Sequence, residues 1–203
     1  MGTPKQLLPF GNSTLLGHTA AVAVEAAVGP VFVVLGANRE QIEPALRGLP
    51  TQIVANAEWE EGLASSIRYG VSAAMSSMPE LQRVILALGD QPMIMPSIYD
   101  SLLACYGGMD LAACHYGDTF GTPALFGSAY FDELLSLHGD RGAKSILMAN
   151  RATLRLVECA AATVDLDTPQ DYAAAVADFS THHLLSRKDV SLRDNPKGNT
   201  TEQ

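Results

Sequence analysis

Short runs that are apolar at almost every position alternate along this chain with longer stretches rich in Ala and Leu. VFVVLG (31–36), QIVAN (52–56), RVILALGD (83–90), DLAACHY (110–116) and TLRLVEC (153–159) have the length and β-branched content of strands. TLLGHTAAVAVEAAV (14–28), EGLASSIRYGVSAAMSSM (61–78) and AKSILMAN (143–150) read as helices between them. Strands without a polar face are buried on both faces, and helices between them supply the cover. The pattern therefore predicts an α/β fold with a mainly parallel sheet. TFGTPALF (119–126) adds a further strand or hairpin arm, Pro96 and Ser97 open a helix after 83–90, and Asp167, Thr168 and Pro169 open a last one.

Charge narrows the function classes. With 13 Lys and Arg against 22 Asp and Glu, the 203 residues carry a net charge of −9, which lacks the broad basic surface that nucleic-acid binding uses. No apolar run reaches the roughly 18 residues that span a bilayer, and MGTPKQLLPF has neither the basic start nor the apolar stretch of a signal peptide. A cytoplasmic protein that binds no membrane is expected. Cys105, Cys114 and Cys159 show no metal-binding spacing and read as free thiols. After Phe179 the aliphatic content falls away, so one domain over 1–179 and a disordered tail over 180–203 are expected.

Ligands of open α/β sheets bind beyond the carboxyl ends of the strands, which directs attention to Asp90 at the end of RVILALG, just before the turn formed by Gln91 and Pro92. A cap and a functional carboxylate are both open readings of that position. Asp165 and Asp167, two apart on a short segment, would face the same way, and carboxylates from two strand ends can share Mg²⁺ with substrate phosphates. Lys5 projects from a loop made by Gly2 and Pro4, and GDRGAK (139–144) offers Arg141 and Lys144, either as an anion site or as a plain surface turn. There is no Walker loop, and Gly36-Ala37-Asn38 after VFVVLG supplies one glycine where a dinucleotide fingerprint has three. Ser65 and Ser66 lack a nucleophile-elbow context, the five histidines read as surface or core filler, and Trp59, the one tryptophan, reads as a packing residue.

Taken in order, MGTPKQLLPFGNSTLL, VVLGAN, NAEWEEGLASSI, LALGDQP, FGTPALF, HGDRGAKSIL and VDLDTPQDY resemble the molybdenum cofactor cytidylyltransferase branch of the MobA-like nucleotidyltransferases, from Met1 to about Phe179. The resemblance implies a Rossmann-like α/β/α sandwich of the GT-A-like nucleotide-diphospho-sugar transferase type. It implies transfer of CMP from CTP (or GMP from GTP) to the phosphate of a molybdopterin-type acceptor, with release of pyrophosphate, and a molybdenum hydroxylase as the downstream partner. By position, Lys5 matches the phosphate-contacting lysine, Asp90 the metal-binding aspartate and Asp167 the residue that completes the Mg²⁺ site. Asn56, Gly62, Ser65 and Ser66 match the loop lining the nucleotide pocket, with Gly121 and Arg141 as further substrate-binding candidates. Pro4 before Lys5 and Gln91 after Asp90 favour cytidylyl over guanylyl transfer. A guanylyltransferase, a sugar- or polyol-phosphate nucleotidyltransferase and a non-catalytic cofactor-binding chaperone are the alternatives. The family's first strand and glycine-rich loop are represented here only by Met1 and Gly2, which implies either an upstream start or a truncated chain, and Thr122 stands where relatives carry histidine.

Overall fold

Thr14 starts the first helix: its Oγ1 accepts the Gly17 N–H at 3.1 Å, and α1 (Leu15–Glu25) follows. In the computed structural model, which describes residues 4–105, 111–163, 166, 168 and 170–179, this helix is preceded by a small hairpin, β1 (Pro9–Phe10) with β2 (Ser13–Thr14). Next come β3 (Val31–Leu35), the short α2 (Arg39–Ile42), β4 (Thr51–Ala55) and α3 (Leu63–Ser77). They are followed by β5 (Arg83–Leu86), α4 (Pro96–Ala104), β6 (Leu111–Tyr116), β7 (Thr119–Gly127), α5 (Phe131–Leu135), α6 (Lys144–Ala149) and β8 (Arg155–Glu158). Each of the five strands and three helices expected from the pattern is present among the described residues, and TFGTPALF is β7.

β3 and β4 form a parallel pair in which Val31 faces Thr51 and Leu35 faces Ala55. The other sheet has the order β5-β7-β6-β8. β7 runs against both β5 and β6, while β8 runs parallel to β6. All the larger strands except β7 are thus laid down in parallel pairs or share one direction within their sheet. The expected strand 83–90 ends early, at Leu86 opposite Ala124. The next residue of β7 is Pro123, which has no N–H to offer the ladder, so residues 87–90 leave the sheet and carry Asp90 out with them.

Alternation along the strands sorts the core into two layers. Leu111 and Ala113 of β6 and Phe120, Ala124 and Phe126 of β7 pack with Ala64 and Val71 of α3, Phe131 and Leu134 of α5, and Ile146 and Leu147 of α6. Ala112 and Cys114 of β6 and Leu125 of β7 point the other way, against Val22 of α1 and Tyr99 and Leu102 of α4. Helices therefore cover both faces, which makes this a Rossmann-like α/β/α sandwich. Each fully buried Leu or Phe in these layers contributes on the order of 1.5–3 kcal/mol of transfer free energy. α3 lies close on β3: a Cβ at Gly70 would come to 3.0 Å from Val34 Cγ2. Cys114 and Cys159 lie deep in the core, where the neighbouring Cys159 thiol, and then burial, push Cys114 well above the usual thiol range.

A second compact unit begins at Leu166. Its helix, α7 over 170–179, opens as a capping box: Thr168 N–H and Oγ1 donate to Asp171 Oδ2 at 2.9 and 2.6 Å, and Asp171 N–H returns a bond to Thr168 Oγ1 at 3.2 Å. Met1 and Gly2, Asp165, Asp167 and the expected tail over 180–203 lie outside the described residues.

Candidate active site

Two groups of the sequence-derived candidates assemble beyond the carboxyl ends of β5 and β4. The first gathers on Asp90. Lys5, 85 residues away in the chain, sits on a 3₁₀ turn (Lys5–Leu7) and places Nζ 3.1 Å from Asp90 Oδ2. Both side chains stay about one-third exposed, at 31% and 37%. Such a pair stabilises a fold by less than about 1 kcal/mol. What it does is hold a cation and a carboxylate side by side. The turn after Asp90 is fixed from two sides. Gln91 Nε2 donates to Thr122 O at 3.3 Å, and His18 Nε2, on α1, donates to Pro92 O at 3.0 Å while its ring tilts against Phe10. Burial holds His18 below its ordinary value, which favours the neutral ring. Gly121, next to Thr122, is buried where β7 faces Cys114, and the Tyr116 hydroxyl fills the space a Cβ would need. The Gly121-Thr122 segment is thus brought to the Asp90 turn as backbone.

The second group gathers on Asn56, 3% exposed, directly after β4. Its Nδ2 donates to Ser65 Oγ at 2.8 Å and Ser66 Oγ at 3.1 Å, and its Oδ1 accepts the Glu58 N–H at 2.8 Å. Ser65 passes a bond on to Gly62 O at 2.8 Å. Gly62 has φ +116°, and any Cβ there would meet Asp140 Oδ1 and Gly139 O, so only glycine lets the two loops close on each other. Ala64 N–H donates to Gly139 O at 3.0 Å. Arg141 is exposed on the loop so docked, and Lys144 Nζ donates to Thr119 Oγ1 at 2.9 Å. Asn56, Gly62, Ser65 and Ser66 are in direct contact, and Arg141 lies on the neighbouring loop.

Reasoning from sequence missed the residues that lock these loops. Arg68 Nη1 donates to Leu137 O at 2.7 Å and Glu61 Oε1 at 2.8 Å, and Nη2 to Glu61 Oε2 at 2.5 Å and Glu58 Oε2 at 3.4 Å. Glu61 Oε1 also accepts the Gly139 N–H at 3.2 Å. The guanidinium, then that amide, hold the Glu61 carboxyl down at about 2. The seven-residue spacing of Glu61 and Arg68 was a weak signal, because Gly62 intervenes and puts Glu61 outside α3. His18 was likewise passed over as filler.

For a divalent cation, Asp90 supplies a hard carboxylate oxygen beside a loop of main-chain groups, the donor chemistry that Mg²⁺ takes with water and substrate phosphates. Among the described residues no three His, Cys, Asp or Glu converge on one point. Asp167, expected to complete the site, is outside the described residues.

A family model for the MobA-like NTP transferase domain matches residues 1–156, a span that holds both groups. The chain belongs to the MobA-like NTP transferase family. It is a nucleotidyltransferase enzyme, as the resemblance implied. Among solved structures it is similar to Rv0371c from Mycobacterium tuberculosis H37Rv in complex with manganese, at 30% identity and TM-score 0.73 over 87% of this chain and 93% of that one. A nucleotidyl transferase from Methanothermobacter shares the fold, with TM-score 0.76 at 23% identity over 88% of this chain and 86% of that one. Nicotine blue oxidoreductase of Paenarthrobacter nicotinovorans is 26% identical over 81% of this chain and 84% of its own length. Among the described residues of this family member, no helix is long and apolar enough to cross a membrane.

Proposed function

We propose that this MobA-like enzyme transfers CMP from CTP to the phosphate of a molybdopterin-type acceptor, with Mg²⁺ as its cofactor, and that the catalytic domain runs from Met1 to Phe179 with 180–203 outside it. The observation that carries the reading is the Lys5–Asp90 pair, 3.1 Å apart at the end of the sheet where ligands of this fold bind. In the transfer, an acceptor phosphate oxygen attacks the α-phosphorus of CTP, the bond to the β-phosphate breaks, and pyrophosphate leaves with that bonding pair. Asp90, joined by Asp167, would hold Mg²⁺, which offsets charge on the phosphates. Lys5 adds a positive charge to the same oxygens, and Gln91 and His18 keep the Asp90 turn in place. Asn56, Ser65, Ser66 and Gly62 shape the nucleotide loop, while Arg141 and the Gly121 backbone are offered to the acceptor. No covalent protein intermediate is needed. The preference for CTP rests on Pro4 and Gln91 beside the two charged residues. A molybdenum hydroxylase would then receive the dinucleotide form of the cofactor in the cytoplasm.

Pyrophosphate release from CTP, GTP, ATP and UTP, each with Mg²⁺ and molybdenum cofactor, tests this. Release with CTP alone is expected; release with GTP moves the enzyme to guanylyl transfer, and release only with a sugar or polyol phosphate moves the acceptor. Binding of cofactor without release would make the chain a chaperone. A second reading, an oxidoreductase, is favoured by the identity with nicotine blue oxidoreductase. Oxidation of a reduced nicotinamide cofactor by the same preparation, with a dye as the acceptor of the hydride, would establish it, although β3 is followed by Gly36-Ala37-Asn38 without a three-glycine fingerprint.

A further inference from the structure

Trp59 does not pack as an isolated tryptophan at a helix entrance should. Its stem lies on Gly36 at the carboxyl end of β3, so close that a Cβ at Gly36 would collide with Trp59 Cβ and Cγ, yet the residue is 44% exposed. A large aromatic left this open forgoes a good part of the burial free energy a fully packed one would gain. The backbone around it is nevertheless held tightly. Glu58 N–H donates to Asn56 Oδ1 at 2.8 Å, Glu61 N–H to Glu58 O at 3.0 Å and Gly62 N–H to Trp59 O at 3.1 Å. Arg68 then ties Glu58 and Glu61, on either side of Trp59, to α3 and to the loop at Leu137. An indole that is exposed, rigidly presented and placed at the ligand-binding end of the sheet has the geometry of a stacking surface.

The charges nearby say which part of a ligand belongs there. Glu58, Glu60 and Glu61 flank Trp59 in sequence, and Arg68 offsets only part of their charge. A phosphate is repelled by such a setting, whereas an uncharged ring with exocyclic amino groups finds carboxylate acceptors beside an aromatic face.

We infer that Trp59 is a stacking platform for a neutral, amino-bearing heteroaromatic ring of the substrate, the base of the nucleotide or the pterin of the acceptor, and that Arg68 is the positioning residue that holds it. This rests on the nucleotidyltransferase site proposed above, with the phosphates at Lys5 and Asp90 and the ring end at Trp59. Because Trp59 is the one tryptophan of the chain, its fluorescence reports on that ring alone.

The test titrates the 203-residue protein with CTP plus Mg²⁺, with GTP plus Mg²⁺ and with pterin-6-carboxylate. It follows tryptophan emission in wild type, binding heat in wild type, Trp59→Phe and Trp59→Ala, and, in parallel, pyrophosphate release from CTP with Mg²⁺ and molybdenum cofactor as the phosphate-bearing acceptor. Circular dichroism checks that each variant folds. Quenching by one probe is expected, with its affinity kept in Trp59→Phe and lowered roughly tenfold or more in Trp59→Ala. Loss confined to the nucleotides identifies the base as the ring, and loss confined to the pterin identifies the acceptor; either supports the platform. Arg68→Met is expected to weaken the same probe by a few-fold without touching it. Equal affinity in all three proteins, with pyrophosphate still released, overturns the platform and leaves nucleotidyl transfer standing. A wild-type protein that binds no probe and releases no pyrophosphate overturns both.

Discussion

Beyond the end of β5 stands one partly buried ion pair, Lys5–Asp90, whereas beyond the end of β4 stand a buried amide, Asn56, and a guanidinium that satisfies two loops at once. The first arrangement contributes almost nothing to folding and leaves its charges open to a ligand. The second satisfies polar groups that burial would otherwise leave costly, and it shapes a surface more than it supplies charge. On the proposed function the difference separates residues assigned to chemistry from residues assigned to form, and substitutions should split along that line.

The largest effect is expected at Asp90. Asp90→Asn should lower the rate of pyrophosphate release by about a hundredfold or more while the melting temperature stays close to wild type. An active, normally folded Asp90→Asn enzyme would sink the assignment of Asp90 to the reaction. Asn56→Ala should show the reverse balance. It removes the partner of two hydroxyls and the acceptor of the Glu58 amide, and should cost on the order of 1–3 kcal/mol in urea unfolding with a smaller loss of rate. Lys5→Gln comes next, with a rate loss of roughly tenfold and a stability change below about 1 kcal/mol, read by the same two assays.

The smallest effects are in pH dependence. The Glu61 carboxyl titrates at about 2 in the fold against 4.5 in the open chain, so its contribution is present above about 4.5 and fades as pH falls towards 2. Urea midpoints of Glu61→Gln should therefore fall less steeply across that window than those of wild type. His18 is held below its ordinary 6.5 by burial, so on acidification the unfolded chain takes the proton first and stability declines below about 6.5. His18→Gln should flatten that limb; an unchanged slope would show that the ring is not held neutral in the fold.

Much of the fold was legible because it is local. β3, β4 and β6 announce themselves as short apolar runs, α1 and α3 as Ala- and Leu-rich stretches over 14–28 and 61–78, and Thr168 as a residue that opens α7. LALGDQP and NAEWEEGLASS were readable as candidate loops since each lies just beyond an apolar run. The place of β7 between β5 and β6 was not, because strand order within a sheet is fixed by partners distant in the chain. Nor was the early end of β5, which depends on Pro123 standing across the ladder from the residues after Leu86.

The ordered motifs carried a resemblance to nucleotidyltransferases, which added Asn56 to the candidates; hydrophobic pattern and composition determined on their own an acidic α/β protein with Asp90 and Lys5 as its first candidates. Those inferences rest on residue chemistry and on periodicities of two and 3.6, which neighbouring positions carry. Only the tertiary structure decided that Lys5 meets Asp90, that Arg68 joins Glu61 to Leu137, that His18 supports Pro92 and that Trp59 stands open on Gly36. Each of these pairings is a long-range closure selected by packing of the whole domain, and no spacing along the chain encodes it.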